Sequence, residues 1–396
     1  MTVGFYAPLP PAHTGVADYA SALLAELKKH GRVEVAPSTC DAALYHLGNN
    51  ALHGDIYRRA LEQPGVVVLH DAVLHHFLLG RLNEAAYVEE FVYNYGEWNR
   101  GLARELWRGR ASSATDRRYF DYPLLRRIVE RSRAVVVHNP AAARGVAEHG
   151  ATRMVEIPHV FKLPRDGAGA RVVEIPHLFV APRGPAGGSE AIRWRQRSGV
   201  ELGSFLFGVF GYLRESKRLM PVLEAFAEVH RTHPRTALLV AGEFVSTDLE
   251  RAVEPLLSAP GVLRRPHLEE SEFWLAAGAV DACINLRYPA AGETSGIAIR
   301  LMGLGKPVML TESLECSRFP EDACLRIASG VAERDSLRDH MTLVASMPEV
   351  AAAIGERAAA HIREHHGVER VAAMYWELLR EATGGPPAVA AAPSLR

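Results

Sequence analysis

Short apolar runs alternate with helix-spaced apolar stripes along almost the whole chain. The first run is VGFYA at 3–7. The stripe that follows sets Ala20, Leu23, Leu24 and Leu27 on one helical face and stops at Gly31. Further runs occur at 42–47, 66–69 and 134–137. Runs this short and this continuously apolar suit strands of a parallel sheet covered on both faces. Their alternation with helices predicts a doubly wound α/β domain. The rhythm breaks at 181–189, APRGPAGGS, a linker candidate. It restarts with a strand at 205–210 and a helix carrying Leu219, Val222, Leu223 and Phe226 on one face. Strands follow at 237–241, 282–286 and 308–310. A last helix, from about Val368 to Arg380, bears the stripe Val368, Val371, Tyr375, Leu378 and Leu379. The tail at 383–396 has too little apolar content to fold and is expected to be disordered.

Composition narrows the class. A chain of 396 residues is long for one core and comfortable for two domains. With 45 basic and 46 acidic residues the net charge is -1, so no global field draws nucleic acid or an anionic membrane. The four cysteines, Cys40, Cys283, Cys316 and Cys324, show no CxxC spacing and read as free thiols of a reducing compartment. Residues 1–11 have no signal-peptide pattern, and no apolar run approaches the roughly 20 residues of a membrane span. The expected location is cytoplasmic, at most peripheral to the inner face of the membrane. One segment stands out: residues 100–133 hold ten Arg against four acids, a local charge of +6, interleaved with Trp107, Tyr119, Phe120 and Tyr122. It reads as a solvated helical face or as a docking surface for an anionic or lipid-linked acceptor.

The chemistry concentrates at 281–308, DACINLRYPAAGETSGIAIRLMGLGKPV, which reads strand, Gly-rich turn, helix, turn, strand. The backbone amides of Thr294, Ser295 and Gly296 fall at a helix start, where partial positive charge accepts a diphosphate. Gly292 and Gly296 permit close backbone approach. Glu293 is an acceptor suited to sugar hydroxyls, or a simple helix cap. At 207–226, FGVFGYLRESKRLMPVLEAF, Gly211 opens a turn and Lys217 can reach a diphosphate leaving group. A Gly turn followed by Lys also occurs with the Lys merely exposed. The dinucleotide fingerprint G-x-G-x-x-G is missing here, which counts against a dehydrogenase. In the N-terminal half, VVVLHD ends a strand with His70 and Asp71, and VVVHNP ends another with His138 and Asn139. A strand-end histidine serves structure as readily as function. His75 and His76 follow, but no HxxxH pair meets a carboxylate, so no metal site is expected.

These motifs resemble the family 4 glycosyltransferases of the GT-B fold over about residues 1–382. In that family a Glu precedes a Gly, and a second Glu opens an E-A-M-A-x-G-x-P-V run. Glu293, Gly296, Met302, Gly305, Pro307 and Val308 match. At the second Glu this chain has Arg300 or Leu301, so the ribose contact is not carried over. The family's G-R-L then K-G pattern is met by Gly211 and Lys217, with Tyr212 in place of Arg and Arg214 near enough to supply that charge. The loop PLPPAHTGVADY at 8–19 is similar to the family's first-strand loop, with Gly15 at the transferred sugar, and His70 falls at its sugar-side histidine. NLRYP…GETSG resembles a bacterial subgroup.

The resemblance implies two Rossmann-like domains with parallel sheets facing across a cleft. The N-terminal acceptor-side domain would span 1–185, the nucleotide-sugar domain 186–365, and the helix at 366–382 would return to the first domain. It implies a retaining, metal-independent transferase. The sugar would come from a nucleotide-diphosphate donor, a UDP- or GDP-sugar, and pass to a glycan, lipid-linked or small-molecule hydroxyl. Lys217 and the GETSG amides would hold the diphosphate, Glu293 the donor sugar, and His70 the sugar or its developing charge. Asp18, Asp71, His138, Asn139 and Arg300 are further cleft candidates. Two alternatives remain open: a GT-B sugar-nucleotide epimerase or hydrolase, and a catalytically silent GT-B binding subunit. The chain also repeats itself. RMVEIPHVF at 153–161 and RVVEIPHLF at 171–179 agree at seven of nine positions. One copy is expected to fill a strand slot and the other to form an added arm.

Overall fold

The computed structural model describes residues 1–12, 14–149, 170–182, 184 and 186–383. The chain forms two compact units: Met1–Leu178 with Ala290–Thr294 and Val368–Arg396, and Phe179–Pro289 with Ser295–Gly367.

The first unit contains strands β1 (Thr2–Tyr6), β2 (Arg32–Val35), β3 (Ala42–Leu47), β4 (Val66–Leu69), β5 (Ala134–Val137) and β6 (Arg171–Glu174). All pair in parallel, in the order β2-β1-β3-β4-β5-β6. β3, β4 and β5 are buried at every position, which is why their sequences are continuously apolar instead of alternating. Successive side chains go to opposite faces. Val66 and Val68 join one cluster with Leu23 and Leu27 of helix Gly15–His30 and with Val371, Tyr375 and Leu379 of helix Val368–Ala382. Val67 and Leu69 join the opposite cluster with Phe77, Tyr87, Phe91 and Tyr119. Each such fully buried side chain contributes about 1.5–3 kcal/mol. Helix Gly15–His30 begins where Thr14 Oγ1 accepts the Ala17 amide at 3.1 Å.

The Arg-rich segment commits three of its aromatics to this core. Tyr119 is fully buried and donates to the Leu106 carbonyl at 2.5 Å, and Trp107 and Tyr122 pack against the same cluster. Acids inside the segment pair with Arg117, Arg118 and Arg126, and acids outside it with two more arginines. Arg127 pairs with Glu90 at 2.6 Å, both buried, and Arg100 pairs with Glu89 and Glu97. Of the repeated nonapeptide, the second copy supplies β6; the first copy lies outside the described residues, as does the tail from 384.

The second unit contains β7 (Phe205–Phe210), β8 (Thr236–Ala241), β9 (Val262–Arg265), β10 (Ala282–Ile284), β11 (Val308–Thr311) and β12 (Leu325–Ile327). They form a parallel sheet ordered β12-β11-β10-β7-β8-β9. The strand order reverses between β7 and β10, and such switch points open ligand crevices beyond the strands' carboxyl ends. Leu219, Val222, Leu223 and Phe226 of helix Leu219–Thr232 bury against one sheet face, as their spacing predicts. The architecture is α/β, with two Rossmann-like domains. All four cysteines are free. Among the described residues no helix is long and apolar enough to cross a membrane.

Candidate functional site

In the second unit, polar groups gather at the switch point. β7 ends at Phe210, and Gly211 turns the chain with φ of 86°. Lys217 ends the short turn Glu215–Lys217 and is 9% exposed; its Nζ donates to the Phe210 carbonyl at 2.5 Å. A Cβ on Gly211 would lie 3.1 Å from that Nζ and 3.7 Å from Cγ1 of Ile297, so the ammonium sits beside the first turn of helix Gly296–Gly303. Ser295 caps this helix, its Oγ accepting the Ala298 amide at 3.3 Å. Arg287, beyond β10, reaches Ser295 Oγ with Nη2 at 3.4 Å. Two cations and a helix N-terminus thus gather beyond the carboxyl ends of the neighbouring strands β7 and β10, an arrangement suited to an anion.

The remaining residues proposed here behave differently. Arg214 is exposed at the start of the Lys217 turn. The Arg300 guanidinium lies over the Phe273 and Trp274 rings, at 5.5 and 5.6 Å. The GETSG turn divides: Gly292, Glu293 and Thr294 belong to the first unit, Ser295 and Gly296 to the second.

In the first unit the turn is fixed by strand-end groups. Asn139 Nδ2 donates to the Gly292 carbonyl at 2.9 Å and to Thr294 Oγ1 at 3.0 Å, and Thr294 Oγ1 donates to the His138 carbonyl at 3.3 Å. The Ala72 amide donates to the Ala291 carbonyl at 2.9 Å. Gly292 has φ of 69°, and a Cβ there would lie 2.7 Å from that of Ala72. Both facts demand glycine. The Glu293 carboxylate accepts the Ala291 amide at 2.7 Å. Asp71 anchors a neighbouring loop by accepting the Asn49 amide at 2.7 Å. Asp18 is exposed in the first turn of helix Gly15–His30, and a Cβ on Gly15 would meet nothing within 4 Å.

His70 does not stand alone. Its Nε2 lies 3.0 Å from Nδ1 of His46, which is buried within β3. The rings of His70, His138 and His177 surround Tyr19 at 4.8, 5.3 and 4.8 Å between centroids. Tyr19 OH meets Tyr375 OH at 3.0 Å. Burial, more than the neighbouring rings, lowers the imidazole pKa values: His46 to about 3, His138 to about 4, His70 well below 6.5. These histidines are neutral at neutral pH. Among the described residues no group of His, Cys, Asp or Glu is arranged to hold a metal ion. His75 is spent on structure, bonding the Tyr122 carbonyl at 2.6 Å and Tyr87 OH at 2.7 Å. Sequence reasoning passed over His46, although a histidine inside the otherwise apolar run AALYHL was a visible signal. It also passed over Arg287.

No protein-family model matches the sequence, and no curated protein matches it. Solved structures do share its fold. Sucrose-phosphate synthase from Thermosynechococcus elongatus has a TM-score of 0.65 at 12% identity, covering 96% of this chain and 98% of that one. WaaG, a glycosyltransferase involved in lipopolysaccharide biosynthesis, gives 0.59 at 13%, covering 97% and 100%. HepE from Anabaena, in complex with UDP and glucose, gives 0.58 at 14%, covering 96% and 100%. Likeness at this identity establishes the GT-B fold for this chain.

Proposed function

We propose that the chain is a retaining, metal-independent glycosyltransferase that moves a sugar from a nucleotide-diphosphate donor to a hydroxyl acceptor. The observation that carries this reading is the switch point of the second unit, where Lys217 and Arg287 flank the amide end of helix Gly296–Gly303. Fixed positive charge beside free amides stabilises a diphosphate both when bound and as a leaving group. Arg287 supplies the second cation that the family places earlier, at the position of Tyr212. Glu293 and His70 keep the sugar-side roles that the resemblance implies. In a front-face reaction the departing phosphate takes the acceptor proton, so no general-base carboxylate is needed. The fold's neighbours support the donor class: HepE is seen with UDP-glucose, and a pneumococcal O-GlcNAc transferase with UDP and GlcNAc.

The test is turnover of UDP- and GDP-sugars with and without hydroxyl acceptors, in EDTA, with the product anomer read by proton NMR. Acceptor-dependent release of nucleoside diphosphate and a product of unchanged anomeric configuration are expected. Release that ignores every acceptor would instead make the protein a hydrolase. Activity that EDTA abolishes and magnesium restores would remove the metal-independent design.

A further inference from the structure

We infer that His46 is a positioning residue that fixes the His70 ring as its Nδ1–H tautomer, so that His70 meets a ligand oxygen as a hydrogen-bond donor and not as a base. The sugar-side role of His70 proposed above gives this its use; the tautomer itself rests on the cluster alone.

The two rings face nitrogen to nitrogen, His46 Nδ1 to His70 Nε2 at 3.0 Å. Two neutral imidazoles so placed share one proton: one nitrogen donates and the other accepts. If His70 Nε2 donated, His46 would carry its proton on Nε2. That nitrogen is sealed without a partner, so the arrangement strands a buried N–H donor. If His46 Nδ1 donates, Nε2 is left only a bare lone pair. Two neighbours show which arrangement this interior accepts. His53 Nδ1 faces the His46 carbonyl at 3.0 Å, and His138 Nδ1 faces the Ile175 carbonyl at 2.9 Å. A carbonyl can only accept, so both histidines are Nδ1–H tautomers, and both leave Nε2 sealed and bare. His46 is the third of the same kind.

The consequence passes to His70. Its Nε2 accepts, so its one proton is on Nδ1. That nitrogen is not among the sealed, unpartnered ones, and the residue keeps 9% of its surface exposed at the end of β4. Three rings pack on it from different elements, His46 from β3, His138 beyond β5 and Tyr19 from helix Gly15–His30, and burial together with the fields of His138, His46, His177 and His53 keeps it neutral. A neutral N–H donor in a fixed direction recognises a hydroxyl or anomeric oxygen and cannot remove its proton.

Long-range proton–nitrogen correlation on 15N-histidine-labelled protein reads the tautomer directly, with His70→Asn and His46→Leu identifying the signals. The expected wild-type His70 spectrum has a protonated Nδ1 and a bare Nε2. A proton on Nε2 of His70 overturns the inference. His46→Gln, whose carboxamide can still donate, should keep that spectrum and UDP-glucose turnover within about threefold. His46→Leu should lose the fixed tautomer and about tenfold in kcat with unchanged UDP affinity. If His46→Leu fails to fold, the wild-type and Gln spectra still decide. The expected spectrum in a protein that turns over no nucleotide sugar would remove the transferase reading and leave the tautomer assignment intact.

Discussion

At the carboxyl ends of the first unit's strands four imidazoles gather beside Asp71 and Asn139: His46 near the end of β3, His70 after β4, His138 after β5 and His177 beyond β6. At the corresponding ends in the second unit they are cations and amides: Lys217 beyond β7, Arg287 beyond β10, and the start of helix Gly296–Gly303. The two sheets share parallel pairing and Rossmann-like wiring, yet they prepare opposite chemistries. Burial strips charge from His46, His70 and His138 and leaves oriented, neutral hydrogen-bonding groups. The second set holds permanent positive charge where an anion would bind. On the proposed function, one architecture would meet hydroxyls in the first unit and phosphates in the second.

Acid should separate the two most strongly. His46, His53, His75 and His138 have folded-state pKa values near 3–4, against about 6.5 unfolded, because burial penalises their charge. Their contribution is intact above about pH 6.5 and declines as pH falls toward 4, since the unfolded chain binds the protons. Each such imidazole contributes a slope of up to about 1.4 kcal/mol per pH unit. In the second unit burial lowers His361 as well, to about 4. Amide exchange between pH 6.5 and 4.5 should therefore show the first unit losing protection before the second. Equal loss in both would break the comparison.

Removing the second unit's charge should act on ligand and not on acid stability. Lys217→Ala deletes a charge-assisted contact worth about 1.5–3 kcal/mol, so UDP affinity should fall about ten- to hundredfold by titration calorimetry. Unchanged affinity would move the diphosphate elsewhere. A smaller effect is expected from Glu293→Gln. The amide oxygen can still accept the Ala291 N–H, so the turn and the melting temperature should hold. Loss of charge should lower kcat/KM about tenfold. Near-normal turnover would make Glu293 a turn residue alone.

Periodicity and burial made the central strands legible. The runs at 42–47, 66–69, 134–137 and 205–210 coincide with β3, β4, β5 and β7. The strands that the hydrophobic pattern did not reveal, β2, β9 and β12, are all at sheet edges. RVEV and VLRR are half-solvated there, and an edge strand lacks the continuous apolar run that buried pairing imposes. The site was legible where motif and helix start coincide, at Lys217 and Ser295. His46 was hidden because its role depends on a neighbour 24 residues away. The Arg-rich segment was ambiguous because three of the acids that pair with it, Glu89 and Glu97 on Arg100 and Glu90 on Arg127, lie outside it in sequence.

Two glycines carry the comparison to its finest scale. Gly211 sits at φ of 86°, with space for a Cβ only 3.1 Å from Lys217 Nζ. Gly211→Ala meets left-handed strain of about 1–2 kcal/mol and displaces the ammonium. The melting temperature should drop about 2–4 °C per kcal/mol, and UDP affinity should drop with it. Gly15 opens its helix with nothing within 4 Å of the position a Cβ would take. Alanine there should leave stability unchanged or raise it by up to about 0.5 kcal/mol, because a helix favours Ala over Gly. Among the described residues nothing gives a steric reason for glycine at 15, so turnover lost with the fold intact points to a ligand that packs there. Gly15→Ala should therefore lower kcat/KM for the donor sugar while UDP affinity and melting temperature stay put. Full turnover in the Ala variant would free Gly15 from the sugar side and leave Gly211 as the glycine whose reason lies in the fold.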